Sequence, residues 1–272
     1  MVMKKGFWII LCMFFIPLVT FAGNMKLHYD RPAEYFEEAL VIGNGTMGAT
    51  LYGGVKKDKI SFNDITLWTG EPESENSSPD AFNVIPEIRA LLDNEDYEGA
   101  DKAQYKVQGH YSENYQPLGT LTIEYLDDTA GISDYHRWLD IGNATARTQY
   151  LKDGKLFTSD YFASAPDSVI VIRLKSENKE GIHALLSFDS PLPHSSQVAD
   201  NEISVEGYAA YHSFPVYYKA EDKHRYDPER GIHFKTLVRV LSVDGSVKNR
   251  YSDSRIEIDG STEVLILIAN VT

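Results

Sequence analysis

Apolar and polar residues alternate with a period of two over much of this chain, which is the pattern of β-strands that bury one face. Leu121, Ile123 and Tyr125, for example, are separated by single polar residues. More than ten such segments indicate an all-β fold, one large β-sandwich of two antiparallel sheets. Strands are predicted at Met25–Tyr29, Ala144–Leu151, Lys155–Phe162, Ser168–Leu174, Ile182–Phe188, Glu202–Val205, Ile232–Val243, Arg255–Ile258 and Val264–Val271.

A turn dipeptide and two continuous apolar runs add detail to this strand prediction. Asp153-Gly154 lies between two of them, and this dipeptide favours a two-residue β-hairpin turn. Val169–Ile172 and Val264–Ala269 are continuous apolar runs and do not alternate. Such runs are expected in strands that are covered on both faces.

One region has helical spacing. Apolar residues recur every three or four positions between Ala81 and Leu92, and Asp80 stands where a capping residue is favoured. A second helix is predicted from Asp96 to about Val107. These two short helices would form an insertion in the sandwich. The segment Glu71–Asp80 before them has no apolar residue to bury, so it is predicted to be a solvated loop.

A glycine-rich stretch precedes the helices and resembles a dinucleotide-binding fingerprint at first sight. Gly43, Gly45 and Gly48 have the spacing G-x-G-x-x-G, and Asp64 follows about 20 residues later. That fingerprint requires a helix after the last glycine, whereas the sequence continues with strand-forming residues and two more glycines. We instead predict strands at Ala39–Ile42, Gly48–Tyr52 and Lys59–Phe62, with the first two joined by a tight Gly-Asn-Gly turn.

The N-terminus has the features of a secretory signal peptide. Lys4 and Lys5 precede an apolar stretch, and Thr20-Phe21-Ala22 supplies small residues for cleavage. Residues 1–22 are therefore expected to be removed, leaving one domain at 23–272 in the periplasm or outside the cell. Cys12, the single cysteine, would be lost with them, so the mature domain would not depend on disulfides.

The charge narrows the choice of partners. The formal net charge is −14, and without the first 23 residues it becomes −16, from 24 basic and 40 acidic side chains. Such a balance disfavours nucleic acid and anionic membranes as partners. The sequence contains no metal-binding spacing of His or Cys, no phosphate-binding loop and no nucleophile elbow, so no cofactor or metal is predicted.

The acidic residues and one Tyr-rich stretch are relevant to carbohydrate chemistry, but neither identifies a catalytic residue. Inverting glycoside hydrolysis needs a carboxylic acid and a base on opposite faces of a sugar ring. None of the 40 acidic residues stands in a motif that marks it for either role. The stretch Gly207–Gly231 is rich in Tyr and His, and it is interpreted either as a long surface loop or irregular strand pair, or as a sugar-contacting surface.

Several motifs together resemble the start of glycoside hydrolase family 95, which contains inverting α-L-fucosidases and related α-L-galactosidases. The resemblance extends from about Pro32 to the end of the chain. It rests on Glu38–Gly45 (EALVIGNG), Asn63–Gly70 (NDITLWTG), Tyr115–Gly119 (YQPLG), Tyr135–Asp140 (YHRWLD) and Phe162–Asp167 (FASAPD).

The resemblance implies a larger enzyme. In that family an N-terminal β-sandwich is followed by an (α/α)6 barrel, and the general acid and the water-activating residues belong to the barrel. No position here corresponds to them, so the chain is expected to be a fragment that ends before the barrel and is inactive alone. Its expected partners are that barrel and an oligosaccharide substrate. The resemblance suggests six substrate- or barrel-facing candidates: Asn44, Gly45, Asn63, Thr66, Trp68 and Gln116.

Two alternatives stay open from the sequence. One is a free-standing carbohydrate-binding sandwich, suggested by Trp68 and the Tyr-rich Gly207–Gly231. The other is the N-terminal domain of a glycoside phosphorylase, a class that also joins a sandwich to an (α/α)6 barrel.

Overall fold

The computed structural model describes residues 25–72, 80–109 and 111–272. The predicted signal peptide at 1–22, with Cys12, lies outside these residues. So do His110 and most of the loop predicted at Glu71–Asp80.

The described residues form a two-sheet sandwich with a helical insertion. A single 3-10 turn, Phe36–Glu38, precedes β2. The strands and helices in chain order are β1 (Lys26–Tyr29), β2 (Leu40–Gly43), β3 (Met47–Leu51), β4 (Lys57–Asp64), α1 (Ala81–Asp93), α2 (Tyr97–Gln104), β5 (Gly119–Tyr125), β6 (Ile132–Asp140), β7 (Thr145–Lys152), β8 (Lys155–Ser164), β9 (Val169–Ser176), β10 (Ile182–Asp189), β11 (His194–Ala199), β12 (Glu202–Tyr208), β13 (His212–Ser213), β14 (His224–Arg225), β15 (His233–Ser242), β16 (Ser246–Arg250), β17 (Arg255–Ser261) and β18 (Glu263–Val271).

All neighbouring strands are antiparallel. The nine-stranded sheet has the order β1-β6-β7-β8-β9-β18-β15-β12-β11, and the seven-stranded sheet has the order β16-β17-β10-β5-β4-β3-β2. Inward-facing side chains of both sheets form one apolar cluster that includes Ile60, Phe62, Ile172 and Ile266. The predicted all-β sandwich is thus confirmed.

The glycine-rich stretch forms a hairpin. Strands β2 and β3 pair in antiparallel register from Leu40↔Leu51 to Gly43↔Gly48, and β3 pairs next with β4. Gly45 has a φ of 95°, a conformation that glycine adopts without steric cost. No helix follows Gly48, which confirms that the dinucleotide-binding interpretation does not apply. Asp153 and Gly154 also form the predicted two-residue turn, with φ values of 51° and 73° between β7 and β8.

The two continuous apolar runs are neighbours at the centre of the nine-stranded sheet, where β9 pairs with β18. Among the residues that the structure describes, the expectation that both faces are covered holds only at Val171, which faces outward and is 6% exposed. Ile170, Ile172, Ile266 and Ile268 are buried in the core, whereas the outward-facing Leu265, Leu267 and Ala269 are half-buried. At their edge Phe162 and Val271 are 42% and 62% exposed. We call this outward apolar strip, formed by Phe162, Val169, Val171, Leu265, Leu267, Ala269 and Val271, the outer strip.

The motif Tyr135–Asp140 has a structural explanation. The Arg137 side chain is fully buried and donates hydrogen bonds to the carbonyls of Arg31 (Nε, 2.8 Å) and Glu38 (Nη1, 2.8 Å). Its guanidinium lies 4.1 Å from the centre of the Tyr29 ring, a favourable cation–π distance. Arg137 therefore fastens the segment that crosses from β1 in one sheet to β2 in the other.

The helices differ from the prediction at their ends. The first ends at Asp93, one residue later than expected, and Asp80 precedes it without a side-chain capping bond. The second begins at Tyr97, after Asp96, which does cap it by accepting a hydrogen bond from Gly99 N. It ends at Gln104, three residues before the predicted end at about Val107, and residues 105–107 form turns.

Three strands lacked a recognisable pattern in the sequence: β6, β11 and β16. The last two are outermost strands of their sheets, and β6 lies next to the outermost β1. Polar side chains are tolerated on both faces of such positions, so periodic alternation is weak there.

A buried carboxylate makes stability depend on pH. Asp58 accepts hydrogen bonds from Gly54 N (2.9 Å) and from the Tyr161 hydroxyl (2.8 Å), which joins β4 to β8 of the opposite sheet. Burial outweighs these bonds and raises the pKa of Asp58 from 3.8 to about 6. Between about pH 4 and pH 6, Asp58 therefore keeps its proton in the folded protein, whereas it has lost this proton in the unfolded chain. As the pH rises through that window, the contribution of Asp58 to the free energy of unfolding decreases.

We predict that the difference in unfolding free energy between the wild type and Asp58→Asn changes by about 2 kcal/mol in favour of the variant from pH 4 to pH 7. Asparagine cannot lose a proton, so the variant lacks this titration. Urea unfolding at several pH values measures it, with the exposed Asp127→Asn as the control expected to track the wild type. A difference that does not change with pH would contradict the prediction.

Candidate functional site

The six candidate residues predicted from sequence lie at one end of the sandwich. We call this the Trp68 end and define it by the segments 44–46, 63–70 and 111–116 together with Thr272. The β2–β3 turn, the end of β4 and the end of β18 meet here, since Ile65 N donates to Thr46 O (2.9 Å) and Thr66 Oγ1 lies 2.5 Å from Thr272 Oγ1. The Asp153-Gly154 turn lies at the opposite end.

Asn44 and Gly45 shape the turn and connect the sheets. Asn44 Oδ1 accepts hydrogen bonds from the backbone N–H groups of Thr46 (3.0 Å) and Met47 (2.8 Å). Its Nδ2 donates to the carbonyl of Ser164 (3.0 Å) on β8 of the other sheet. Both ends of the amide are therefore engaged in holding the turn.

Asp64 is the central polar group of this end. It is buried on β4, and its Oδ1 accepts from Thr66 N (2.9 Å) and Thr66 Oγ1 (2.5 Å). Its Oδ2 accepts from Asn270 Nδ2 (2.8 Å) on β18, and Asn270 Oδ1 accepts in turn from Thr236 Oγ1 (2.7 Å). This network, which we call the Asp64 brace, connects the seven-stranded sheet to the nine-stranded one. Thr66 belongs to it.

Trp68 forms an exposed aromatic pair. Its ring centre lies 5.3 Å from that of Tyr115, the two backbones form an isolated bridge, and each side chain is 42% exposed. Its indole N–H donates to Ile65 O (3.0 Å). Gln116 is buried, and its backbone N–H donates to Leu67 O (2.9 Å). Asn63 pairs with Gly48 on the outer face of the seven-stranded sheet and is half-buried.

Sequence reasoning missed a charged network beside this pair. Glu113 Oε1 lies 2.9 Å from His212 Nδ1, while Glu113 Oε2 accepts from Thr69 Oγ1 (2.5 Å) and Ser213 N (3.0 Å). The other imidazole nitrogen of His212 lies 3.1 Å from the Tyr111 hydroxyl. Between 44 and 101 residues separate the partners, so no local spacing in the sequence could have indicated the network.

An aromatic cluster continues from His212. Phe214 and Tyr218 stack with ring centres 4.9 Å apart, Tyr111 lies about 6.1 Å from both, and the Arg225 guanidinium lies 5.1 Å from the centre of the Phe214 ring. The two-residue strands β13 and β14 hold this part of 207–231 together, which corresponds to the irregular strand pair expected there. Partly exposed rings of this kind can stack on sugar rings or pack on another protein surface.

The chemistry available to the described residues is limited. Both Glu113 oxygens, like those of Asp58 and Asp64, are occupied by hydrogen bonds inside the protein. Among the described residues, no group of three or more His, Cys, Asp or Glu side chains has an arrangement that could hold a metal ion. No described helix is long and apolar enough to cross a membrane.

We predict that Asp64→Ala lowers the free energy of unfolding by about 1–3 kcal/mol, because it removes the acceptor of Asn270 Nδ2, Thr66 N and Thr66 Oγ1 in a partly buried network. Chemical denaturation measures the loss. Lys59→Ala, an exposed change on the same strand, is the control and should stay within about 0.5 kcal/mol of the wild type. If Asp64→Ala matched that control, the brace would not contribute to stability.

The sequence of this chain is similar to those of proteins named as α-fucosidases. "Alpha-L-fucosidase 2" of Arabidopsis thaliana is 28% identical over 252 residues, which cover 90% of this chain and 30% of that protein. "Probable alpha-fucosidase A" of Aspergillus niger is 30% identical over 179 residues, 62% of this chain and 22% of that protein. The chain thus spans less than a third of the length of these relatives. The expected similarity to the N-terminal part of α-L-fucosidases is confirmed.

A solved structure described as "Putative kojibiose phosphorylase from human microbiome" aligns with 90% of this chain and 32% of its own, at 9% identity and a TM-score of 0.45. At that level the similarity carries no argument about function. The family model that matches covers residues 27–272 and is described as "Glycosyl hydrolase family 65, N-terminal domain". This match and the fucosidase relatives together support the expected N-terminal domain of a fucosidase-type glycoside hydrolase, while the family number 95 stays a prediction. The chain therefore belongs to the family of glycosyl hydrolase family 65 N-terminal domains.

Proposed function

We propose that this chain is the N-terminal scaffolding domain of an inverting exo-glycosidase that removes terminal α-L-fucose, or α-L-galactose, from glycans. Support comes from the α-fucosidase names of its relatives, of whose length it spans a third or less. In this proposal the acid and base belong to a catalytic barrel that follows Thr272, and the sandwich holds that barrel and supports the loops around its mouth.

The distribution of carboxylates is consistent with a non-catalytic role. Inversion requires two carboxyl groups roughly 6.5–9.5 Å apart with space for a sugar and a water between them. Asp58 and Asp64 are buried and fully bonded within the sandwich, and Glu113 is held by Thr69, His212 and Ser213. None of these three is free to approach a glycosidic oxygen.

The observation that carries the proposal is the outer strip. Its side chains face outward from the centre of the nine-stranded sheet, and the strip reaches the Trp68 end at Val271, one residue before Thr272. The outer face of the seven-stranded sheet is polar by contrast, with Lys57, Lys59 and Glu124 on its central strands. An apolar strip on one face only is the mark of a surface that another protein surface covers. A barrel joined at Thr272 would begin beside it.

A second candidate function is carbohydrate binding without catalysis. The exposed Trp68–Tyr115 pair and the stacked Phe214–Tyr218 pair favour it, since aromatic faces are what sugar rings stack on. Sugar binding by the isolated chain would support this candidate.

We also propose that the protein acts in the periplasm or outside the cell, on the basis of the charged and apolar residues at 1–22. A mature chain isolated from its natural host should start at Gly23. A cytosolic chain that still starts at Met1 would contradict this.

The test of the main proposal is an activity comparison. The full-length product of the gene should hydrolyse an aryl α-L-fucoside or α-L-galactoside without a need for phosphate. This 272-residue chain alone should release no sugar, because in this proposal the acid and base belong to the barrel. Turnover by the chain alone would overturn the scaffolding role. Strict dependence of the full-length protein on phosphate would indicate a phosphorylase instead.

Titration of the isolated chain with fucosylated, galactosylated and glucosylated oligosaccharides separates the two candidates. Negligible affinity is expected for a scaffold, and a sub-millimolar dissociation constant would favour the carbohydrate-binding module.

A further inference from the structure

Helix α1 presents an apolar surface that the described residues leave partly exposed. None of its 13 residues is buried. Phe82, Ile85 and Leu92 lie along one side at helical spacing, and they are 83%, 38% and 46% exposed. The half-buried Val84, Ile88 and Leu91 form a second apolar side. We call Phe82, Ile85 and Leu92 the α1 stripe.

A groove continues the stripe onto α2. Its volume is about 240 Å³, and it is lined by Ile88, Leu92, Tyr97, Ala100, Asp101 and Gln104. Tyr97 at the start of α2 is itself largely exposed. Stripe and groove together form an apolar surface with a recess large enough for a side chain of a partner.

Leaving this surface in water is unfavourable. A fully exposed Leu or Phe forgoes roughly 1.5–3 kcal/mol that burial would supply, and a 13-residue helix is marginal without packing along its side. Helices that keep apolar residues on two sides usually have a partner on each. Among the described residues α2 packs against α1, and it leaves the α1 stripe partly exposed.

Helices α1 and α2 form a helical hairpin, and its position indicates which partner would cover the α1 stripe. Its two ends join the sandwich at the Trp68 end, where Thr69 N donates to Asn114 O (2.8 Å) and Gly70 N donates to Ala210 O (3.0 Å). Thr66 on the same loop contacts Thr272. In a protein of the length of the fucosidase relatives, the polypeptide beyond Thr272 would therefore start beside the base of the hairpin. Tethering gives such a segment a high effective concentration there.

Charge argues against a second copy of this chain as the occupant. Between residues 80 and 106 the hairpin carries seven acidic and three basic side chains: Asp80, Glu87, Asp93, Glu95, Asp96, Glu98 and Asp101 against Arg89, Lys102 and Lys106. Two such hairpins would repel each other, whereas an apolar surface edged with Lys or Arg would be complementary.

We propose that the α1 stripe and its groove are the docking site for an apolar, basic-edged surface of the catalytic domain that follows Thr272. This rests on the proposed function for the identity of that domain. The hairpin then acts as a clamp that fixes the orientation of the catalytic domain on the sandwich.

The experiment compares hydrogen exchange of the α1 amides in the full-length protein and in this 272-residue chain. In the full-length wild type these amides should exchange at least about tenfold more slowly, because docking suppresses local opening of the helix. The double variant Phe82→Ser, Leu92→Ser should lose that protection in the full-length protein. Tyr105→Ser, which removes an exposed aromatic ring just after α2, is the matched control and should keep it.

Each other outcome has a defined meaning. Equal exchange of α1 in both proteins overturns the docking site, even if the full-length protein is an active fucosidase. Protection that appears in the isolated chain and grows with its concentration means that a second copy occupies the site, and this also overturns the proposal. Protection in a full-length protein without fucosidase activity leaves the docking site standing while the proposed function fails. Circular dichroism of the variants checks that the sandwich is intact.

Discussion

The Trp68 end depends on one buried carboxylate. Asp64 is the point at which the seven-stranded sheet and the nine-stranded sheet share a hydrogen-bond network, through Asn270 and Thr66. A buried carboxylate is stable only when its oxygens are satisfied, so the network fixes the end of β4 and the end of β18 relative to each other. The loop that carries Trp68 and the point where the chain reaches Thr272 are positioned as a consequence.

Two apolar surfaces adjoin the Trp68 end. The outer strip ends at Val271, and the helical hairpin leaves the sandwich between Gly70 and Glu113. Neither surface contributes to the core, which the inward faces of the two sheets already fill. A domain with more apolar surface than its own core uses is suited to form part of a larger assembly. This is the property expected of a scaffold, and the polar face of the seven-stranded sheet would remain in solvent.

Much of the fold was predictable because alternation and turn chemistry are local. The Asp153-Gly154 hairpin and the β2–β3 hairpin at Gly43–Gly48 follow from short-range preferences. The strand β6 was missed, because its polar residues serve a tertiary purpose: Arg137 is a buried cation held by carbonyls that are about 100 residues away. Helix ends were predicted only to within a few residues. A capping residue such as Asp80 marks where a helix can begin, but its side chain need not make the capping hydrogen bond.

The sequence predicted which residues belong to the candidate site, but not the contacts that they make. Motif resemblance selected Asn44, Thr66 and Trp68, and the structure places them at the same end. Their roles in the turn and in the Asp64 brace depend on contacts that span up to about 200 residues, which no local pattern encodes. The Glu113–His212 pair was missed for the same reason.

The central claim is that the Trp68 end faces the catalytic domain, and thiol accessibility tests it most directly. No cysteine follows Cys12 in this chain, so Ile65→Cys at the Trp68 end and Leu126→Cys at the opposite end each give a single reporter within residues 23–272. Both side chains are about half exposed here, at 58% and 47%. Peptide-level mass spectrometry of thiol labelling should find Ile65→Cys strongly protected in the full-length protein and Leu126→Cys labelled as fast as in the isolated chain. Equal labelling of Ile65→Cys in both proteins, or protection of Leu126→Cys instead, would contradict the account.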